Sequence, residues 1–165
     1  MPVSCPEILA SMMRYNAGDA KRIQHALKVF AYASLIGEGE RLDPRTLDIL
    51  KVAAALHDIG IHNAEKLHGS SEGKWQELEG PPVARELLAP FGFDAAFMNR
   101  VCFLIGHHHT YGAVDGPDYQ ILLEADLLVN FFEDGVSPEA ARKAGGRLFR
   151  TKTGREFLTD LYPET

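Results

Sequence analysis

Cysteine is scarce in this chain. The 165 residues hold two, Cys5 and Cys102, far apart and at no metal-ligand spacing. A disulfide framework is thereby excluded, and a reducing cytoplasm is the expected compartment. Long apolar runs are also missing: no stretch approaches the roughly 20 residues of a membrane-spanning helix. The opening residues, Met1-Pro2-Val3-Ser4-Cys5-Pro6-Glu7, carry neither the basic stretch nor the apolar core of a signal peptide. Positive charge is in deficit, with 17 Lys and Arg against 23 Asp and Glu and a formal net charge of −6. Such a balance excludes the basic footprint of a nucleic-acid-polymer binder and the polybasic patch of a membrane-surface binder. It leaves room for a small anionic substrate, because a bound metal supplies local positive charge. No internal repeat or low-complexity tract is present, and no segment sustains two-residue alternation, so no sheet beyond a small hairpin is expected.

What is present is helical periodicity in a chain that is 45% hydrophobic, enough for one sizeable core. A short helix is expected over residues 7–15. Asp19 reads as an N-cap for a helix over residues 20–36, with Gly37 and Gly39 ending it. Its stripes Ile23, Ala26, Leu27, Phe30 and His25, Val29, Tyr32, Ile36 are both largely apolar, which predicts deep burial. Asp43-Pro44 opens the next helix, which passes through the five-residue apolar run at 52–56 to Asp58 or Ile59 and stops at Gly60. Residues 61–82 are polar and contain glycine, and read as a functional loop or lid. A short helix over 83–90 follows. Asp94 caps a helix that carries Phe97, Val101, Leu104 and Ile105 and ends in His107-His108-His109. Residues 111–117 read as a turn, 118–132 as a strongly apolar helix, Ser137-Pro138-Glu139 as a helix start, and 154–161 as a last helix. The expected architecture is a single all-α domain over residues 1–165, with its core at about 20–132 and a helical extension over 133–165.

Three of these buried helices contain polar side chains that a core does not tolerate alone. Asp126 sits within Ile121-Leu122-Leu123-Glu124-Ala125-Asp126-Leu127-Leu128-Val129. A buried carboxylate must be paired, hydrogen-bonded or metal-bound; an arginine partner or a capped backbone group would serve as well as a metal. His57 and Asp58 end the alanine-rich helix. The helix macrodipole favours a histidine there but disfavours Asp58, and a cation nearby reverses that penalty. His25 lies mid-helix between apolar stripes, where a lone histidine is more often structural than a ligand. Taken as a set, two imidazoles and two carboxylates on three helices make a cage for one divalent ion, with donors that suit Mn, Fe, Co, Ni or Zn.

The order His25, His57-Asp58-Ile59-Gly60, Asp126 resembles the HD-domain superfamily of phosphohydrolases, over residues from about 20 to 132. The strings Gln76-Glu77-Leu78-Glu79-Gly80-Pro81-Pro82, Gly106-His107-His108-His109-Thr110-Tyr111, Glu124-Ala125-Asp126-Leu127-Leu128-Val129-Asn130 and Thr151-Lys152-Thr153-Gly154-Arg155 are similar to those of small stand-alone members. The resemblance implies a helical bundle of the HD-domain type that binds one or two divalent metals, Mg among them, and hydrolyses phosphoester bonds, commonly in nucleotides. It implies His25, His57, Asp58 and Asp126 as ligands of the first metal, with Asp58 bridging to a second. For a second ion His108 is the favoured ligand of the histidine run, His109 next, and His107 a bystander. Where such proteins often offer another histidine, this chain offers Glu79, with His68 less well placed. Related enzymes often carry Lys or Glu three residues beyond the HD aspartate; here that position is Ile61, followed by His62.

The leading expectation is metal-assisted hydrolysis of a small phosphorylated substrate, with Asp58 at the metal and the leaving oxygen protonated by a histidine such as His62 or His109, or by water. Lys66 and Arg155 are candidates to bind the phosphate, against the ordinary reading of exposed basic residues as a solvated face. Trp75 is a candidate to stack on a base or, more simply, to anchor its segment. The competing expectations are a non-catalytic nucleotide or metal sensor, motivated by Ile61, and a di-iron oxygenase, motivated by His108 and His109. A homodimer is compatible with the sequence.

Overall fold

The computed structural model describes residues 3–165. Among them run nine α-helices and no strand: α1 (Cys5–Tyr15), α2 (Ala20–Gly39), α3 (Pro44–Leu56), α4 (Ile61–His68), α5 (Gly73–Leu88), α6 (Ala95–Ile105), α7 (Pro117–Glu133), α8 (Pro138–Leu148) and α9 (Lys152–Leu161), with one 3-10 turn at Ala89–Phe91. Five helices start on a side chain that accepts from a backbone N–H one turn in: Asp19 from Arg22, Asp43 from Thr46, Asp94 from Phe97, Ser137 from Ala140 and Thr151 from Gly154. Each of these acceptors satisfies a donor that the first helical turn leaves orphaned.

The kernel is α2, α3 and α7, each packed on the other two, with α6 covering α3 and α9 covering α7. Residues Val52, Ala53, Ala54, Ala55 and Leu56 are all buried, so the C-terminal half of α3 is surrounded on every side. The alanines let neighbouring backbones approach. Phe149 and Leu158 join the same core, which ties the C-terminal helices to α7. Among the described residues no helix is long and apolar enough to cross a membrane.

Several boundaries differ from the sequence reading; the helix capped by Asp94 stops at Ile105, so His107, His108 and His109 lie in the turn after it rather than on its last turn. Helix α2 does not stop at Gly37 but continues through Gly39. Gly37 is there for close packing: a Cβ would stand 2.7 Å from Leu47 Cδ1. Helix α3 ends at Leu56, with His57 as its C-cap, and Gly60 is the N-cap of α4 rather than a plain stop. The largest difference is at residues 61–82, which are helix α4, a four-residue link and most of α5, not a loop. The buried positions of α5 are Gln76, Gly80, Val83, Ala84 and Leu88, a helical spacing. Its first two turns bury a glutamine and a glycine, so no apolar period marks them. Trp75 therefore lies on a helix, stacked on His68 with ring centroids 3.9 Å apart, which fastens α5 to α4.

Candidate metal centre

A tight turn brings two neighbours to one point. After α3 the chain turns through Ile59 N–H to Leu56 O and Ile61 N–H to Asp58 O, both 3.0 Å. Gly60 allows this turn to press on α5, since a Cβ there would lie 2.4 Å from the Gly80 nitrogen. His57 and Asp58 thus face the same interior point as His25 of α2 and Asp126 of α7. His25 Nε2 lies 3.1 Å from both His57 Nε2 and Asp126 Oδ1 and 3.3 Å from Asp58 Oδ2. His57 Nε2 is 3.5 Å from Asp58 Oδ2 and 3.5 Å from Asp126 Oδ1.

The other side of each ring decides what these atoms can do. His57 Nδ1 donates to Ala54 O at 2.8 Å. His25 Nδ1 donates to the Glu133 carboxylate at 3.0 Å. Both partners accept only, so the hydrogen is on Nδ1 and each neutral ring presents a bare Nε2 to the centre. Two nitrogen lone pairs and two carboxylates then meet with no hydrogen between them. They need a cation. In the chain by itself a proton plays that part. Burial lowers the basicity of His25, but the hydrogen bond to Asp126 and the charges of Asp58, Asp126 and Glu133 outweigh it and push its pKa up to about 9. Burial opposes ionisation of Asp58 and Asp126; the imidazoles around them hold both carboxyls well below the ordinary range. Donors of this chemistry and spacing fit one divalent transition ion or zinc.

Asp58 also faces a second group. His108 follows α6 in a turn, its Nδ1 donating to Ile105 O at 2.7 Å and its Nε2 lying 3.2 Å from Asp58 Oδ1. Ligand atoms of Asp58, His108 and His109 lie within 4.8 Å of one another, as do those of His25, His57 and Asp58. The shared carboxylate has one oxygen toward each group. His109 makes a further bond from Nε2 to Gln76 Oε1, 3.1 Å. Burial, then the neighbouring His108, pushes its pKa down to about 4. Gly73 leaves room for that ring: a Cβ would stand 2.7 Å from it.

These groups open into a cavity of about 470 Å³ whose further lining includes Lys21, Arg22, Gln76, Asn130, Glu133 and Asp134. Other residues singled out from sequence lie elsewhere. Glu79 is not at the centre; its carboxylate takes His68 Nε2 at 2.9 Å. Because residue 79 sits on a helix, its side chain flanks α4, and Gln76, one turn earlier, is the α5 residue that faces the cavity. His62 Nε2 bonds Asp19 Oδ2 at 2.8 Å, so it reaches the cavity only through Asp19. Lys66 is exposed on α4 and does not line the cavity. Arg155 donates to Phe149 O at 3.0 Å and lines a separate surface hollow with Arg150 and Lys152. His107 donates to Phe103 O at 2.7 Å, outside both groups. Sequence reasoning missed Glu133, which lies seven residues after Asp126, two turns along the same face. It bonds His25 on one oxygen and Lys28 on the other, 2.8 Å. Burial raises the Glu133 carboxyl, but Lys28 and His25 outweigh it and hold it below the usual range.

An all-α bundle whose buried helices gather two imidazoles and two carboxylates around one point is the architecture of the HD hydrolase class. Residues 22–130 match the HD domain, and the chain belongs to the HD-domain family, a family of metal-dependent phosphohydrolases. It is similar to the crystal structure of a predicted HD superfamily hydrolase from an uncultured Thermotogales bacterium, with 30% identity and a TM-score of 0.69 over 95% of this chain and 84% of that one. No protein of curated function matches it.

Proposed function

We propose that this protein hydrolyses a phosphate ester of a small molecule, a nucleotide in the first instance, with His25, His57, Asp58 and Asp126 holding the metal. The observation that carries the reading is the meeting of two Nε2 atoms and carboxylate oxygens at 3.1 to 3.5 Å around one buried point, where a proton serves in the chain by itself and a divalent ion would take its place. A divalent ion in such a cage supplies polarisation of a phosphoryl oxygen and an acidified water. Asp58, facing both groups, sets their separation. Glu133, Ala54 O and Ile105 O fix the tautomers of His25, His57 and His108. His109, neutral at neutral pH, orients rather than protonates, and the leaving oxygen takes its proton from water at the cavity mouth. Arg22 is committed to Asp19 and Glu65. Lys21 lines the cavity and forms no ion pair among the described residues, so it replaces Lys66 and Arg155 as the phosphate tether.

The test is phosphate release from a panel of nucleotides with Mn, Co, Ni, Fe, Zn or Mg added in turn. Turnover is expected with at least one metal and lost in Asp58→Ala; an unchanged rate in that variant sinks the metal mechanism. One observation favours a second reading, a nucleotide-binding sensor: the cavity wall carries the apolar Ile61 at the position where the family resemblance leads one to expect Lys or Glu. Tight nucleotide binding without turnover under every metal would select it.

A further inference from the structure

The metal cavity is one of two hollows along α7. Leu123, Leu127, Asn130 and Asp134 are spaced four, three and four residues apart, which puts them on one stripe of the helix. Asn130 and Asp134 line the metal cavity. Leu123 and Leu127 line a second hollow of about 260 Å³, completed by Tyr111, Leu148 and Arg150. The two therefore lie end to end on one helix face. At a rise of about 1.5 Å per residue, the step from Asp126 back to Gln120, which also lines the second hollow, is about 9 Å. The chemistry changes along that line. Imidazoles and carboxylates stand at one end, two leucines and a phenol ring in the middle, a guanidinium at the other. Tyr111 is 44% exposed, so the apolar middle is open to solvent. The Arg150 guanidinium donates to the carbonyl of Phe149 and forms no ion pair among the described residues, although the chain carries a net −6. It also borders the hollow lined by Lys152, Arg155, Glu156 and Asp160, where Lys152 pairs with Glu156 and Arg155 is held by Phe149 O, so Arg150 is the cation of that end left free for a ligand.

We propose that this stripe continues the substrate site: the scissile phosphate lies at the metal end, a planar or apolar body packs on Leu123, Leu127 and Tyr111, and a second anionic group meets Arg150. The inference rests on the hydrolase reading and narrows its substrate class to nucleotides that bear a second acidic group, such as a nucleoside bisphosphate or a short linear dinucleotide. Water adds to the terminal phosphorus, the ester P–O bond breaks, and the products are inorganic phosphate and an alcohol that keeps the base and the second anionic group. A small aryl phosphate fills the metal end alone.

The experiment compares kcat/KM for a nucleoside 3′,5′-bisphosphate with kcat/KM for p-nitrophenyl phosphate, in wild type, Arg150→Gln, Tyr111→Ala and Lys143→Gln. Lys143 is an exposed cation of α8 that lines neither hollow, and its loss controls for net charge. The bisphosphate-to-aryl ratio is expected to fall about tenfold in Arg150→Gln, through KM, and to fall in Tyr111→Ala. In Lys143→Gln it should keep the wild-type value. Equal ratios in all four proteins, with both substrates turned over, overturn the inference and leave the hydrolase reading standing. If wild type turns over the aryl phosphate but not the bisphosphate, the inference alone falls; if it releases phosphate from neither, nor from any nucleotide of the panel, under any metal, both fall.

Discussion

Glu124 and Asp126 stand two residues apart on α7, are 0% and 3% exposed, and are satisfied in opposite ways. Two helical positions are about 200° apart, so the carboxylates face opposite sides. On the α9 side Glu124 meets hydrogens. Thr151 Oγ1 donates at 2.8 Å, Gln120 Nε2 at 3.0 Å and the Thr151 backbone N–H at 3.3 Å. Burial raises its carboxyl, and these donors pull only partly the other way. On the α2 and α3 side Asp126 meets imidazole nitrogens whose own hydrogens point elsewhere. The lesson is that a buried acid is not by itself a metal ligand. The groups opposite it decide: donors from the chain make a structural cap, and bare acceptors make a cation site.

The contrast is broken hardest at Asp126. Asp126→Ala is expected to empty the cage and reduce phosphate release on the order of 10³-fold, since several kcal/mol of barrier lowering depends on the ion. Metal content of the purified variant and its turnover rate are the two readings. A variant that keeps both wild-type values would make Asp126 a second Glu124. Next in size is Glu133. Removing the acceptor on the far side of a liganding imidazole weakens metal binding by about 10- to 100-fold, and Glu133→Ala should do so by freeing the His25 ring. Calorimetric metal titration checks it independently of activity. Glu133→Gln, which still offers a carbonyl oxygen to Nδ1, should recover part of the loss; equal weakness in both variants would mean that charge, not ring orientation, is at stake.

Much of the cage was legible because His25, His57, Asp58 and Asp126 interrupt runs that are otherwise apolar, and an interruption in a core demands a partner. Helix starts were legible through Asp19, Asp43, Asp94 and Ser137, whose side chains do cap. Glu124 interrupts the same run as Asp126, and the sequence assigns it no role of its own. Nothing in the local sequence says which side of α7 will meet Thr151 and which will meet histidines. That is a fact of packing between segments more than 25 residues apart. Glu79 failed for a related reason. A polar, glycine-containing stretch over 61–82 shows no helical phase in sequence, and only the phase of α5 reveals that Gln76 faces inward while Glu79 lies against His68. Lys66 and Arg155 are marked in sequence by charge alone, and charge does not place a side chain. Glu133 had a readable signal, its seven-residue spacing from Asp126, but it sits at the polar end of the helix, where a glutamate attracts no notice.

Smaller effects sharpen the contrast from the other side. Glu124→Ala leaves the Thr151 N–H and hydroxyl without their acceptor, and should lower stability by about 1–3 kcal/mol, a fall of roughly 2–4 °C in Tm for each kcal/mol. Metal content should not change, because no atom of Glu124 belongs to the cage. Loss of bound metal in that variant would show that the two faces of α7 are coupled, and that the α9 contact helps hold Asp126 in place.

The finest test uses two glycines. Glycine inside a helix is less favourable than alanine by about 0.5–1 kcal/mol, so propensity alone makes both Gly146→Ala in α8 and Gly154→Ala in α9 stabilising. Their surroundings differ. A Cβ on Gly146 meets nothing within 4 Å, whereas one on Gly154 would stand 2.3 Å from Glu124 Oε1 and 2.7 Å from Thr151 Oγ1. Either the carboxylate or α9 must then move, and a bond of about 1–3 kcal/mol is strained or lost. That exceeds the propensity gain, so the two substitutions should have opposite signs: Gly146→Ala raises stability by up to about 1 kcal/mol, and Gly154→Ala lowers it by a similar amount. Chemical denaturation of both variants gives the signs directly. If Gly154→Ala is as stabilising as Gly146→Ala, Glu124 does not depend on the start of α9. Its burial would then need another explanation, and the distinction drawn between the two acids of α7 would rest on Asp126 alone.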